Sequence, residues 1–162
     1  MMMPGESKRR NAIRRSIYGF AIALMLAGSF GRSGQAASMS ELVGNWFSET
    51  TEDKNKVVDG KPYTIRRELL INRADGTKSN IQRYYSGARL VTEVITTFKW
   101  GVNDNLYWAE CQTVLYKGAA TPCSDRYEYE LISVSAQQIQ YKSRKTGVTY
   151  VSRRVRDNYR LP

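Results

Sequence analysis

Histidine is absent from this chain, and cysteine occurs only twice. Without imidazole there is no Ser–His or Cys–His nucleophile activation, and the commonest metal ligand is missing. Cys111 and Cys123 are too few for a thiolate metal site, and their spacing is not that of a C-x-x-C redox pair. No glycine-rich phosphate loop occurs. Long apolar runs are almost as scarce. The single one, Ile17–Phe30, has roughly 14 residues, against the about 20 needed to cross a bilayer. What survives these absences is carboxylate chemistry, with Glu110 and Glu128 as candidates. The acidic residues, however, fall mostly in loops or alternate with apolar strand residues, as solvated faces do. An enzyme therefore ranks last among the functional classes, and no catalytic residue, metal or cofactor is expected.

The first 36 residues read as a signal peptide. Lys8, Arg9, Arg10, Arg14 and Arg15 precede the apolar run, and Gly34-Gln35-Ala36-Ala37-Ser38 follows it. A basic start, a short apolar middle and small residues before a cut are the layout of a secretory leader. Gly34 and Ala36 suit the −3 and −1 positions for cleavage after Ala36. An uncleaved anchor is the alternative. Arg14-Arg15 loosely resembles a twin-arginine signal, but the general secretion route is favoured. No cysteine near the cut suggests a lipid anchor. The expected location is periplasmic or secreted, with no membrane insertion after cleavage.

Residues 37–162 then form one domain. The whole chain carries a formal +10; setting aside six basic and one acidic residue in 1–36 leaves 19 basic against 14 acidic, a net +5. That modest, dispersed charge does not make a nucleic-acid stripe. In an oxidising compartment Cys111 and Cys123 are most simply a disulfide. It would close a loop of roughly 13 residues and stabilise by about 3 kcal/mol in the chain-entropy model.

Period-two alternation with turn residues between segments runs through this domain. Strands are expected near 42–50, 63–73, 77–85, 89–101, 106–117, 125–134, 138–144 and 148–156, with no strong helix signal. Ala74-Asp75-Gly76 suits a tight hairpin, where glycine tolerates positive φ. The fold class is all-β: eight sequential antiparallel strands suit an up-and-down barrel, which leaves no free edge, with a sandwich as the alternative. An outer-membrane barrel is disfavoured, because Glu93, Lys99, Arg126, Glu128 and Glu130 make its outer face wet.

Leu42-Val43-Gly44-Asn45-Trp46 resembles the L-x-G-x-W opening of the lipocalins and wider calycins. The resemblance implies a barrel whose Trp46 plugs one end beneath an arginine of the last strand, Arg153 or Arg154, in a cation–π contact. Gly44, Trp46 and Arg154 would then be structural, as would the two cysteines. The family's other short motifs are not recognisable, and avidin-like or fatty-acid-binding barrels are neighbouring possibilities.

In such a meander the two long connections, Thr51–Pro62 and Gly118–Ser124, fall at the same end. That end is the expected mouth, with Thr51–Pro62 as a lid or a plain surface loop. Placing charge outward turns Leu90, Val94, Phe98, Trp100, Tyr127, Tyr129, Leu131, Ile139 and Tyr141 inward. Arg67 shares a face with Tyr63, Ile65, Leu69 and Ile71, and Arg83 shares one with Ile81. If those faces are inward, Arg67 or Arg83 could hold an anionic group by its planar fork; a single bulge would reverse them. The leading expectation is an exported, non-enzymatic, lipocalin-like protein that binds a small apolar or anionic amphipathic ligand. Its site would comprise Arg67, Arg83, Phe98, Trp100, Tyr127 and Tyr129. The alternative is a packed barrel acting through its outer surface on another envelope protein.

Overall fold

The alternation closes the chain into a cylinder. The computed structural model describes residues 37–52 and 56–162; the leader and its cleavage after Ala36 lie outside the described residues. One helical turn, α1 (Met39–Leu42), is followed by β1 (Gly44–Thr51), β2 (Val57–Val58), β3 (Lys61–Pro62), β4 (Ile65–Asn72), β5 (Thr77–Ser86), β6 (Arg89–Asn103), β7 (Leu106–Tyr116), β8 (Ala119–Pro122), β9 (Arg126–Val134), β10 (Gln138–Ser143) and β11 (Thr149–Val155). Eight of them pair antiparallel in the order β6-β5-β4-β1-β11-β10-β9-β7, and β7 returns to β6 to close the ring. The barrel, rather than the sandwich, is therefore the fold. Closure gives every long strand two partners and removes the open edges at which sheets aggregate.

Three short features, a hairpin, a strand and a helical turn, are additions to the expected meander. β2 and β3 form a small hairpin inside the first long connection. β8 lies within the second and pairs with the far end of β7, Thr113–Tyr116. β7 thus borders β9 over Leu106–Glu110 and β8 beyond it. α1 is the third. Its capping box joins Ser38 and Glu41, with the Ser38 N–H donating to Glu41 Oε2 at 2.8 Å.

α1 closes one end of the cylinder. Leu42 is buried with Trp46, Leu70, Trp100, Tyr107, Leu131 and Ile139, and Ala37 and Met39 pack against this cluster. Trp46 is fully buried. Its Nε1–H donates to the Leu42 carbonyl at 2.9 Å, so the indole hydrogen bond is satisfied where water cannot reach. The Arg154 guanidinium lies 4.2 Å from the centre of the Trp46 ring. It also donates to the carbonyls of Ala136, Val43 and Glu41, each at 2.9 Å. Of the two arginines read from the sequence, Arg154 is thus the partner. Arg153 lies on the outside, 4.8 Å over Phe47.

Gly44 explains its place in the motif. Its φ is +126°, and a Cβ there would stand 2.4 Å from Arg154 Nη1. Backbone conformation and the passage of the arginine both require glycine.

Two strands face opposite to expectation. In β4 and β5 the even-numbered residues, Arg66, Glu68, Leu70, Lys78, Asn80 and Gln82, line the interior. Leu69, Ile71 and Ile81 face out, where they form a second apolar cluster with Phe47, Val155, Tyr159 and Leu161. The residues after β11 lie over this outer face: Leu161 is buried, and the Tyr159 ring meets Phe47 edge-on at 5.5 Å. An outward apolar face is stable here because the chain's last residues cover it. Leu90, expected inward, is exposed. The pairing of β5 with β6 shifts register at Tyr84/Tyr85, next to its partner position, and such a bulge re-aims the strand beyond it.

Candidate functional site

The barrel is hollow. A cavity of about 750 Å³ occupies the interior and opens at the end opposite α1, within the size range of small-molecule sites. The long connections lie at this open end, as the strand count implies.

Phe98, Leu70, Ala109, Tyr129 and Tyr141 form the deeper apolar wall. Their rings make an aromatic lattice: Tyr129 meets Tyr107 at 5.6 Å and Tyr141 at 5.2 Å, and Tyr141 stacks on Tyr150 at 5.5 Å. Edge-to-face and offset contacts of this kind hold a wall rigid. Burial pushes the Tyr141 phenol well above its ordinary pKa, so it stays un-ionised.

Polar groups are set into that wall. Glu68 is buried; it accepts from Ser48 at 3.4 Å and from Gln82 Nε2. Arg66 is held between two carboxylates, 3.5 Å from Glu52 and 3.7 Å from Glu68. Even so, Arg66 Nε and Asn80 Oδ1 are buried without a hydrogen-bond partner. Unmet donors and acceptors on a cavity wall are costly unless a bound molecule or water meets them.

Lys78 lies deepest of the charged groups. It is only 5% exposed, and its Nζ donates to Tyr107 Oη at 2.6 Å. The Phe98 and Tyr107 ring centres lie 5.2 and 4.9 Å from that nitrogen. Desolvation lowers its pKa to about 8, partly opposed by the charge of Glu68.

At the rim stand Asp125, Arg126, Glu128, Arg144, Lys145 and Thr146. Glu128 is bridged by Arg126 at 3.2 Å and Arg144 at 3.5 Å, so it stands in an ion-pair network. Across the whole lining, five cationic side chains face three carboxylates. The Cys111–Cys123 disulfide borders the cavity on the same side. It ties the β8–β9 connection to the wall. The β2–β3 hairpin is strapped to the β7–β8 turn by Asp59 and Lys117, 2.6 Å apart. None of its described residues lines the cavity.

Of the residues singled out from the sequence, Phe98, Tyr127 and Tyr129 line the cavity. Trp100 is inward but sits beneath the floor, where its Nε1–H is shared between the carbonyls of Arg73 and Thr77 at 3.1 and 2.9 Å. Arg67 and Arg83 are corrections. Arg67 lies outside, paired with Glu49 at 2.6 Å and over the Tyr85 ring at 4.8 Å. Arg83 lies outside, paired with Glu93 at 2.6 Å and donating to the Leu161 carbonyl. The inward cations of these two strands are instead Arg66 in β4 and Lys78 in β5. The signal for this existed in Lys78-Ser79-Asn80-Ile81-Gln82, whose even positions are all polar. It becomes decisive only if one knows that the odd positions are covered from outside.

Comparison of the chain with protein-family models, with curated proteins and with solved structures finds no match in any of the three.

Proposed function

We propose that this protein is an exported, non-enzymatic carrier in the manner of the lipocalins, holding a small amphipathic molecule inside its barrel. The observation that carries the reading is the cavity of about 750 Å³ with one mouth, a closed floor and an aromatic wall. The excess of cations over carboxylates in the lining favours an anionic group on the ligand. That group would lie in the upper half, near Arg66 and the rim arginines, and the apolar or aromatic body would lie against Phe98, Tyr129 and Tyr141. Export rests on the leader sequence and agrees with the disulfide. Among the described residues no helix is long and apolar enough to cross a membrane.

Trp46 and Trp100 under the floor supply an internal reporter. Titration of their fluorescence with dodecanoate, cinnamate and related acids should give saturable quenching. Native mass spectrometry of freshly purified protein should show a bound small molecule. If the emission is unchanged across the panel and nothing co-purifies, the carrier reading fails. Affinity capture from envelope extract would then test action through the outer surface.

A further inference from the structure

Among the described residues, Lys78 is the one cation below the rim of the cavity that no carboxylate pairs. Arg66 has Glu52 and Glu68, whereas no ion pair to Lys78 is formed among the described residues. We infer that Lys78 is a covalent docking site for carbonyl ligands: an aldehyde entering the cavity forms a reversible imine with its Nζ. The inference rests on the carrier reading and narrows it to molecules that bring a carbonyl to the floor.

The surroundings supply what the reaction needs. Lys78 and Phe98 both line the cavity, and the Phe98 and Tyr107 rings flank the Lys78 Nζ at 5.2 and 4.9 Å. A flat conjugated chain fits against such rings, and a protonated imine gains the same cation–π attraction as the ammonium. Glu68 adds a distant negative charge. Tyr107 Oη stands 2.6 Å from the nitrogen, and burial keeps its phenol un-ionised, so it can pass a proton.

The step balances without any oxidant or reductant. The Lys78 lone pair adds to the carbonyl carbon, forming the C–N bond while the C=O π pair takes up a proton as hydroxyl. The carbinolamine then expels that hydroxyl as water as the C=N bond forms, with the Tyr107 phenol as the nearest group to pass the proton. Aldehyde and amine give imine and water, and hydrolysis reverses the sequence.

Burial assists. With a pKa near 8, the free-amine fraction of Lys78 at pH 7.5 is roughly two hundred times that of an ordinary surface lysine. Buried lysines of this kind are the usual Schiff-base formers.

The experiment uses trans-cinnamaldehyde with sodium cyanoborohydride at pH 7.5 on the leaderless chain, followed by intact mass and peptide mapping. One adduct should form, on Lys78, at a rate at least ten-fold above any other lysine. Lys78→Met should abolish it, and Tyr107→Phe should slow it several-fold. No adduct, or one spread evenly over surface lysines, overturns the inference; the wild-type peptide map alone decides this, whether or not the variants fold. Cinnamyl alcohol, which cannot form an imine, is titrated in parallel by tryptophan quenching. If the alcohol and the acids bind but Lys78 is unlabelled, the carrier stands and the covalent site falls. If none binds and no adduct forms, both fall.

Discussion

Arg154 and Trp46 form the lock of the closed end: the guanidinium lies 4.2 Å from the indole ring centre and reaches three backbone carbonyls on two sides of the floor. One side chain thereby joins the turn after β9, the end of α1 and the first residues before β1. The Val43 carbonyl would otherwise be partly buried without this donor, which costs more than the hydrogen bond returns. Cation–π contact and hydrogen bonding use perpendicular directions of the same planar group, something a lysine cannot do.

Arg154→Lys should therefore behave almost like Arg154→Met, each losing about 2–4 kcal/mol by urea denaturation. Gly44→Ala should cost a similar amount through the clash with Nη1 and the positive φ. Retention of wild-type stability by Arg154→Lys would show that charge alone suffices.

Lys78 makes stability depend on pH in a known direction. Its pKa falls from 10.5 to about 8 on folding, so between those values the unfolded chain holds a proton that the folded chain has released. Stability then rises with pH across that window, and the cost of the buried charge is fully present below pH 8. Relative to wild type, Lys78→Met should be more stable at pH 7 by up to about 3 kcal/mol, with the gap closing by pH 10.5. Paired denaturation curves at pH 7, 9 and 10.5 check this. A gap independent of pH would mean that Lys78 does not titrate as described.

Leu161 on the outer face should matter as much as a core residue. Leu161→Ala removes the cover from Phe47 and Leu69 and should cost about 2 kcal/mol. It should also raise binding of a hydrophobic dye. Arg83→Ala, which frees the Leu161 carbonyl, should weaken the same cover by about 1 kcal/mol. Neutral effects from both would mean that the tail contributes nothing to the barrel.

The Cys111–Cys123 bridge closes a short loop beside the mouth. Replacing both with serine should lower stability by about 3 kcal/mol, and addition of dithiothreitol should have the same effect on the wild type. Unchanged thermal unfolding under reduction would count against a structural role.

Strand positions were legible in the sequence almost to the residue, because turn chemistry and period two are local. Ala74-Asp75-Gly76 marks its hairpin on its own: the Asp75 carboxylate accepts from the Thr77 N–H at 2.9 Å, and Gly76 has φ +80°. Phe98, Tyr129 and Tyr141 were readable as inward, since β6, β9 and β10 carry apolar residues mainly on one face. Arg66 and Lys78 were not. Ile65-Arg66-Arg67-Glu68-Leu69-Leu70-Ile71-Asn72 puts charge and hydrocarbon on both faces, so alternation leaves two answers.

The sequence by itself determined eight strands, their order and the pairing of its two cysteines, for these follow from neighbours along the chain or from a count of two; the end plugged by Trp46 was implied only by the resemblance of its motif to the lipocalins. Only the tertiary structure decided which face of β4 and β5 looks inward and which arginine covers Trp46. Those choices depend on residues far apart in sequence: Tyr159 and Leu161 bury the outer hydrocarbon of Phe47, Leu69 and Ile81, and that burial leaves Arg66, Glu68 and Lys78 to line the hollow. A one-residue slip would exchange the two faces, and the free energy that forbids it comes from contacts more than seventy residues apart, such as Arg83 with Leu161.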